Sequence, residues 1–165
     1  MEFTINQRLD FIADELFRAK PDVILFSCYI WNVDMLKSLC QLLKKIMPNC
    51  IIGFGGPEVS YEAETFLREN KAVDLIMRGE GELVFSQYLD YLDFATPSSL
   101  YDIKSMTFRD GDRIVSTMQQ EPLDLALLPS AVSGDDGLEA MYGLLMTFVR
   151  RGGHAMHINV FDGAT

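Results

Sequence analysis

The sequence predicts a doubly wound α/β fold built around a parallel sheet, and two patterns in residues 1–97 support this. Short, continuous apolar runs such as Val23–Phe26 alternate with amphipathic helical segments, and short loops join them. An apolar run of strand length is typical of a strand that is buried on both faces. Regular alternation of strands and helices favours parallel strands joined by right-handed crossovers.

The helices of this region are predicted from apolar residues at three- and four-residue spacing. Asn6 can cap the first helix, Asn32 or Asp34 the second, and Ser60 a third that runs to about Glu69. A fourth helix follows the third strand. The apolar stripes of the first and fourth helices are Leu9, Ile12, Ala13, Leu16 and Phe17, and Leu83, Tyr88, Leu89 and Leu92. The strands are predicted at Asp22–Cys28, Cys50–Phe54 and Val73–Met77.

The pattern changes after about residue 97, where a β-hairpin is predicted. Asp110-Gly111 lies between the strand-like segments Ile103–Phe108 and Arg113–Thr117, and Asp-Gly is a common hairpin turn. A linker-like stretch follows, then a helix over 137–151 and a strand over 154–161. We therefore divide the chain into an α/β region (1–97), a hairpin and linker (98–130) and a helix–strand segment (131–165).

The composition disfavours several classes of partner. A formal net charge of −10 argues against nucleic acid, because a phosphate backbone needs a basic face. The longest apolar runs fall well short of the roughly 20 residues that span a bilayer. The first residues lack the basic start and apolar centre of a signal peptide. We therefore expect a cytoplasmic protein that binds neither nucleic acid nor a membrane.

The cysteines and histidines predict no metal site. The spacing of Cys28, Cys40 and Cys50 fits no zinc or cluster motif, and cysteines in apolar segments are usually buried. His154 and His157 are three residues apart on a predicted strand, which places them on opposite faces. A shared metal ion is therefore not expected.

The candidate site lies in three loops that leave the carboxyl ends of the predicted strands, because open parallel sheets bind ligands at that edge. Glycines there allow a close approach of the main chain to a bulky ligand, and aromatic side chains can cover a planar ring system. The same glycines and carboxylates also occur in ordinary tight turns and helix starts, so the residues alone leave both interpretations open. The candidate residues are Ser27, Cys28, Tyr29, Trp31 and Asn32 in the first loop, Gly55, Gly56, Pro57 and Glu58 in the second, and Gly79, Glu80, Gly81 and Glu82 in the third.

Taken together, residues 2–130 resemble the N-terminal cobalamin-binding domain of B12-dependent radical-SAM proteins. The blocks Phe26–Asn32, Gly55–Ser60 and Arg78–Glu82 carry the resemblance, in the order and at the spacing of that family. The resemblance implies a Rossmann-like sheet with a corrinoid, cobalamin, on its carboxyl edge in contact with the three loops. It also implies that the nucleotide tail of the corrinoid is buried alongside the sheet.

The sequence departs from that family in several ways. It has no Asp-x-His-x-x-Gly motif, so the sequence identifies no lower ligand of the cobalt, and Glu58 stands where many relatives have histidine. The first strand of the family, which lies centrally in the sheet, has no counterpart before Glu2–Ile5, so the sheet is expected to be incomplete. The Cys-x-x-x-Cys-x-x-Cys motif of the radical-SAM barrel is absent, so we expect no iron–sulfur cluster and no radical-SAM chemistry in this chain.

A second resemblance concerns the C-terminal segment. Residues 137–161, with Gly152-Gly153-His154 and His157–Val160, are similar to the helix and strand that precede the glycyl-radical loop of pyruvate formate-lyase-type enzymes. The loop itself and an active-site cysteine are missing, so this resemblance implies no radical function. Together, the two resemblances imply that the chain joins fragments of two different proteins.

The resulting hypothesis is a cobalamin-binding module that is not catalytic alone and presents the corrinoid to a radical-SAM domain, where reactions include methyl transfer. One alternative is a structural or interaction fragment that binds no cofactor. Its incomplete sheet would be completed by a second copy of the chain or by strand 154–161. The other alternative is an accessory piece of a glycyl-radical system.

Overall fold

The structure, a computed structural model, describes residues 2–79, 81–93, 99–120 and 154–161. Within these residues seven strands form one sheet, in the order β1-β7-β2-β3-β4-β5-β6. The strands are Glu2–Thr4 (β1), Val23–Ser27 (β2), Ile51–Gly55 (β3), Leu75–Met77 (β4), Met106–Asp110 (β5), Arg113–Ser116 (β6) and Ala155–Phe161 (β7). The helices are Leu9–Ala19 (α1), Val33–Ile46 (α2), Pro57–Ser60 (α3), Ala63–Glu69 (α4) and Gly81–Leu92 (α5).

Helices cover both faces of the sheet, and the strands from β1 to β4 in the sheet order are all parallel. The predicted doubly wound α/β fold is therefore confirmed. Because alternate residues of a buried strand point to opposite faces, the core has two parts. One part joins α1, α2 and α4 to the sheet through residues such as Ile12, Leu16, Leu36, Leu67, Ile24, Phe26 and Phe54. The other joins α5 through residues such as Val84, Tyr88, Leu89, Val23, Leu25 and Leu75.

Strand β7 lies in the interior of the sheet, between β1 and β2. Residues Glu2–Thr4 pair with Asn159–Phe161, and Val23–Phe26 pair with Ala155–Ile158. The expectation of a sheet that lacks a central strand is therefore wrong at this position, because the C-terminal strand supplies the ladder partners of β2. Completion of the sheet by strand 154–161, which one alternative included, is therefore observed; the absence of cofactor binding in that alternative stays a prediction.

The predicted hairpin is present, with its turn at Gly111-Asp112, and it continues the sheet through antiparallel pairing of β5 with β4. Arg109 fastens it further, since its main-chain N–H donates to the carbonyl of Asp74. The guanidinium group of Arg109 donates to the carbonyls of Leu67, Asn70 and Val73. The division of the chain at residue 97 stays a prediction.

Several details of the helices differ from the predictions. Asn6 does not cap α1, which begins at Leu9 after Arg8; instead, Thr4 and Gln7 exchange hydrogen bonds in a turn after β1. Phe17 is 47% exposed, so the buried stripe of α1 is narrower than predicted. Ser60 ends α3, and α4 begins separately. The predicted helix over 137–151 lies outside the described residues.

No helix in the described ranges combines the length and the apolar character that a membrane crossing requires.

Ile158, a fully buried residue of β7, tests the interior position of this strand. Ile158→Ala is expected to lower the free energy of unfolding by about 2–4 kcal/mol, because it removes buried carbon atoms and leaves a cavity. Urea unfolding followed by circular dichroism measures the change. Ile46→Ala, at a 39% exposed position in α2, is the matched control and should change the free energy by less than about 0.5 kcal/mol. Equally small effects of both substitutions would contradict an interior β7.

Candidate functional site at the carboxyl edge of the sheet

Three neighbouring strands end side by side at one edge of the sheet. Ser27 at the end of β2 pairs with Gly55 at the end of β3, which in turn pairs with Met77 at the end of β4. The loops that leave these ends are therefore adjacent, as the sequence predicts.

The first loop presents two stacked aromatic rings to solvent. The rings of Tyr29 and Trp31 have centroids 4.6 Å apart and are inclined by only 4°. The two side chains are 36% and 49% exposed, and Ile30 between them is exposed as well. These residues form a flat apolar surface of the kind that packs against a planar ligand.

Asn32 shapes the first loop from within. Its side chain is fully buried, and its Oδ1 accepts a hydrogen bond from the main-chain N–H of Tyr29 at 2.8 Å. Its Nδ2 donates to the carbonyls of Ser27 at 3.0 Å and Val160 at 3.1 Å. Asn32 does stand at the N-cap position of α2, but its side chain makes no capping hydrogen bond. Since both amide N–H groups are used within the chain, Asn32 supports the loop and offers no free donor.

The second loop touches the main chain of the first. Gly56 has a φ of +108°, and a Cβ built on it would lie 2.4 Å from the carbonyl oxygen of Cys28. The N–H of Cys28 donates to the carbonyl of Gly55 at 2.7 Å. Only glycine fits this contact. After it, Pro57 and Glu58 begin α3 with exposed side chains.

Ser60 connects the second loop to the third. Its hydroxyl donates to the carbonyl of Gly56 at 2.7 Å and accepts from the N–H of Gly79 at 3.3 Å. Ser60 was predicted as a helix cap and as part of the second loop, but its bond to the third loop was not predicted; a serine four residues after a carbonyl can donate to that carbonyl. Gly79 itself has a φ of +71°, and a Cβ built there would meet no atom within 4 Å. Open space therefore adjoins the third loop.

The third loop is anchored to the hairpin by Arg78. The main-chain N–H of Arg78 donates to the carbonyl of Ser105 at 2.8 Å, and its guanidinium group donates to the carbonyls of Met106 and Thr117. The remaining predicted residues of this loop are Gly81 and Glu82, which begin α5, and Glu80, which lies outside the described residues.

His157 of β7 reaches this edge, which the sequence analysis did not predict. Its Nε2 lies 3.0 Å from the hydroxyl oxygen of Ser27, and burial lowers the pKa of the imidazole. Ser27 and His157 are 130 residues apart, so no local pattern indicates the contact. Within the described ranges, no group of three or more His, Cys, Asp or Glu residues could hold a metal ion.

The fold is an open α/β domain with a mostly parallel sheet, and the candidate site lies beyond the ends of its strands. A family model described as the B12 binding domain matches residues 2–89, which include all three loops. The chain therefore belongs to the B12-binding domain family.

The relatives that the chain matches are much longer enzymes. The cobalamin-dependent radical SAM methyltransferase TokK of Streptomyces tokunonensis is 36% identical over 70 residues, 42% of this chain and 10% of the relative. The 2-(S-pantetheinyl)-carbapenam-3-carboxylate methyltransferase of Streptantibioticus cattleyicolor is 35% identical over 122 residues, 68% of this chain and 18% of the relative. The anaerobic magnesium-protoporphyrin IX monomethyl ester cyclase of Cereibacter sphaeroides is 27% identical over 109 residues, 64% of this chain and 18% of the relative.

The chain thus spans less than a fifth of the length of each of these three relatives. None of the three is named as a glycyl-radical enzyme, so the resemblance of residues 137–161 to that class is not borne out.

The close contact at Gly56 predicts a difference between two glycines of positive φ. Gly56→Ala should lower the free energy of unfolding by about 2–4 kcal/mol, because the new methyl group collides with the main chain of Cys28 and the φ is unfavourable. Gly79→Ala should cost only about 1 kcal/mol, since the backbone conformation is its single penalty. Urea unfolding of both variants measures the difference. A Gly56 variant as stable as the Gly79 variant would contradict the contact.

The three cysteines should not react in the folded protein. Burial, and to a lesser extent the Glu58 carboxylate, raises the pKa of the Cys28 thiol to about 12. Burial raises the pKa of Cys50 to about 11 and also raises the pKa of Cys40. At pH 8 the reactive thiolate is therefore scarce. We expect Ellman's reagent to label no thiol at pH 8 in buffer and all three in denaturant; rapid labelling of the native protein would contradict this burial.

Proposed function

We propose that this chain binds cobalamin at the carboxyl edge of its sheet and acts as a binding module without catalytic activity of its own. The observation that carries the proposal is the convergence of the three loops at an edge with exposed aromatic rings and open space. All three loops fall within the segment that matches the B12-binding family.

The residues at this edge fit a large planar ligand. The stacked Tyr29 and Trp31 rings offer an apolar surface for a macrocycle, and the absence of a side chain at Gly79 leaves room for a close approach. Ser27 adds a hydroxyl group at the strand end. The corrin ring itself holds the cobalt, so the proposed site needs no cluster of metal-binding side chains. The described part of the chain contains no such cluster.

The candidate residues divide into two roles under this proposal. One group would contact the corrinoid directly: Ser27, Tyr29, Trp31, Glu58 and Gly79, with Glu80, Gly81 and Glu82 completing the third loop. The other group would shape the loops through the contacts described above: Cys28, Asn32, Gly55, Gly56 and Pro57. When bound, the corrinoid supplies a cobalt centre that can carry a methyl group, and the protein supplies binding and orientation.

We further propose that a radical-SAM domain is the partner to which this module presents its corrinoid. The support is the similarity to TokK, a cobalamin-dependent radical SAM methyltransferase that is 36% identical to this chain over 70 residues. Under this proposal, residues outside the segment that matches the B12-binding family would determine which substrate the partner domain accepts.

Titration with hydroxocobalamin tests the proposed binding. Trp31 is the only tryptophan and lies in the first loop, so saturable quenching of its fluorescence together with a shift of the corrin absorption band is expected. Gly79→Asn should weaken binding about tenfold, or about 1.4 kcal/mol, because the new side chain enters the open space while asparagine still tolerates a positive φ.

Gly111→Asn is the matched control for this experiment. Gly111 also has a positive φ, +60°, and open space around its Cβ position, but it lies in the hairpin turn. Its substitution should leave the affinity unchanged. Absence of quenching and of a spectral shift at high micromolar hydroxocobalamin, in wild-type protein that is folded by circular dichroism, would refute the proposed function.

A further inference from the structure

Strand β7 lies outside the segment that matches the B12-binding family, yet it places a side chain at the candidate site. The family match ends at residue 89, whereas His157 belongs to the C-terminal strand. Its Nε2 lies 3.0 Å from the Oγ of Ser27, the last residue of β2.

The register of the sheet explains why these two side chains meet. Leu25 pairs with His157 and Phe26 with Ile158. Side chains alternate along a strand, so Ile158 enters the part of the core that Phe26 occupies, while His157 lies on the face of Leu25. Ser27, two residues beyond Leu25, returns to that same face.

The imidazole restricts what the serine hydroxyl can do. Burial lowers the pKa of His157, which favours the neutral ring, and a neutral ring nitrogen is either a donor or an acceptor. Ser27 must take the complementary role toward Nε2. The hydroxyl, which otherwise rotates freely, is thereby oriented, and its remaining hydrogen-bonding capacity points away from His157.

Several other contacts also hold β7 in place. Main-chain ladders join β7 to β1 and to β2, and the Asn32 amide binds the carbonyl of Val160. At the start of the strand, the main-chain N–H of His154 donates to the carboxylate of Asp22 at 2.9 Å. Removal of the imidazole would leave all of these bonds intact.

We infer that His157 is a positioning residue of the cofactor site, which orients the Ser27 hydroxyl toward the corrinoid. This inference rests on the proposed cobalamin binding. It makes the C-terminal strand a functional part of the site, in addition to its place in the sheet.

A double-mutant cycle with hydroxocobalamin tests the inference, because it isolates the coupling between the two side chains. His157→Phe should raise the Kd by about three- to tenfold, as expected for the loss of one oriented hydrogen bond. His157→Gln, whose amide can reach a position close to that of Nε2, should restore the affinity to within about twofold. Ser27→Ala should weaken binding as much as His157→Phe, and the double variant should be no weaker than Ser27→Ala alone.

His154→Gln is the matched control, since the described hydrogen bonds of His154 involve only its main chain. It should leave the Kd unchanged. Circular dichroism melting of every variant reports whether folding is affected. A Kd unaffected by His157→Phe in protein that binds hydroxocobalamin would overturn the inference and leave the proposed function standing; no binding by the wild type would overturn both.

A second readout needs no cofactor. The chain has only two histidines, so their ring nitrogens can be followed separately by long-range proton–nitrogen NMR. Ser27→Ala should move the Nε2 signal of His157 and leave that of His154 in place. An unchanged His157 signal would show that the pair does not form and would overturn the inference whatever the binding result.

Discussion

The side-chain amide of Asn32 connects parts of the chain that are far apart in sequence. It is fully buried beside the end of β2 and bonds to the main chain of Tyr29, Ser27 and Val160. A buried polar group left without its partner costs about 1–3 kcal/mol. The bond from Asn32 to Val160 therefore links the first loop, which carries Tyr29 and Trp31, to the position of β7 beside β2. A strand from the end of the chain thus helps to shape a site built from its beginning.

The interior position of β7 has a simple physical basis. A strand such as Val23–Ser27 that is buried on both faces needs hydrogen-bond partners on both edges, because unpaired main-chain groups are costly away from water. β3 supplies one edge and β7 the other. Family membership is established by residues 2–89, yet the sheet that carries the candidate site is completed by residues beyond that match.

The range over which each interaction acts decides what the sequence could predict. The alternation of strands and helices follows from local periodicity and implies that the three loops leave neighbouring strands, so the fold class and the adjacency of the loops were predicted correctly. Asn32 looked like a helix cap because asparagine before a helix usually is one, whereas its decisive partner, Val160, is 128 residues away. The Ser27–His157 contact joins residues that are 130 positions apart, so the spacing of neighbouring residues cannot predict it. Which of the loop residues touch a corrinoid stays a prediction.

The hydroxyl of Ser60 bridges the carbonyl of Gly56 and the N–H of Gly79, while Gly56 also lies against the main chain of Cys28. Each loop is therefore in direct contact with the next. The second loop cannot move without disturbing its contacts with both the first and the third loop. A ligand that contacts one loop would also restrict the motion of the other two. The conformational entropy of all three loops would then be lost at the first contact, so later contacts would form more readily. If the edge binds cobalamin as proposed, the three loops would therefore become ordered together.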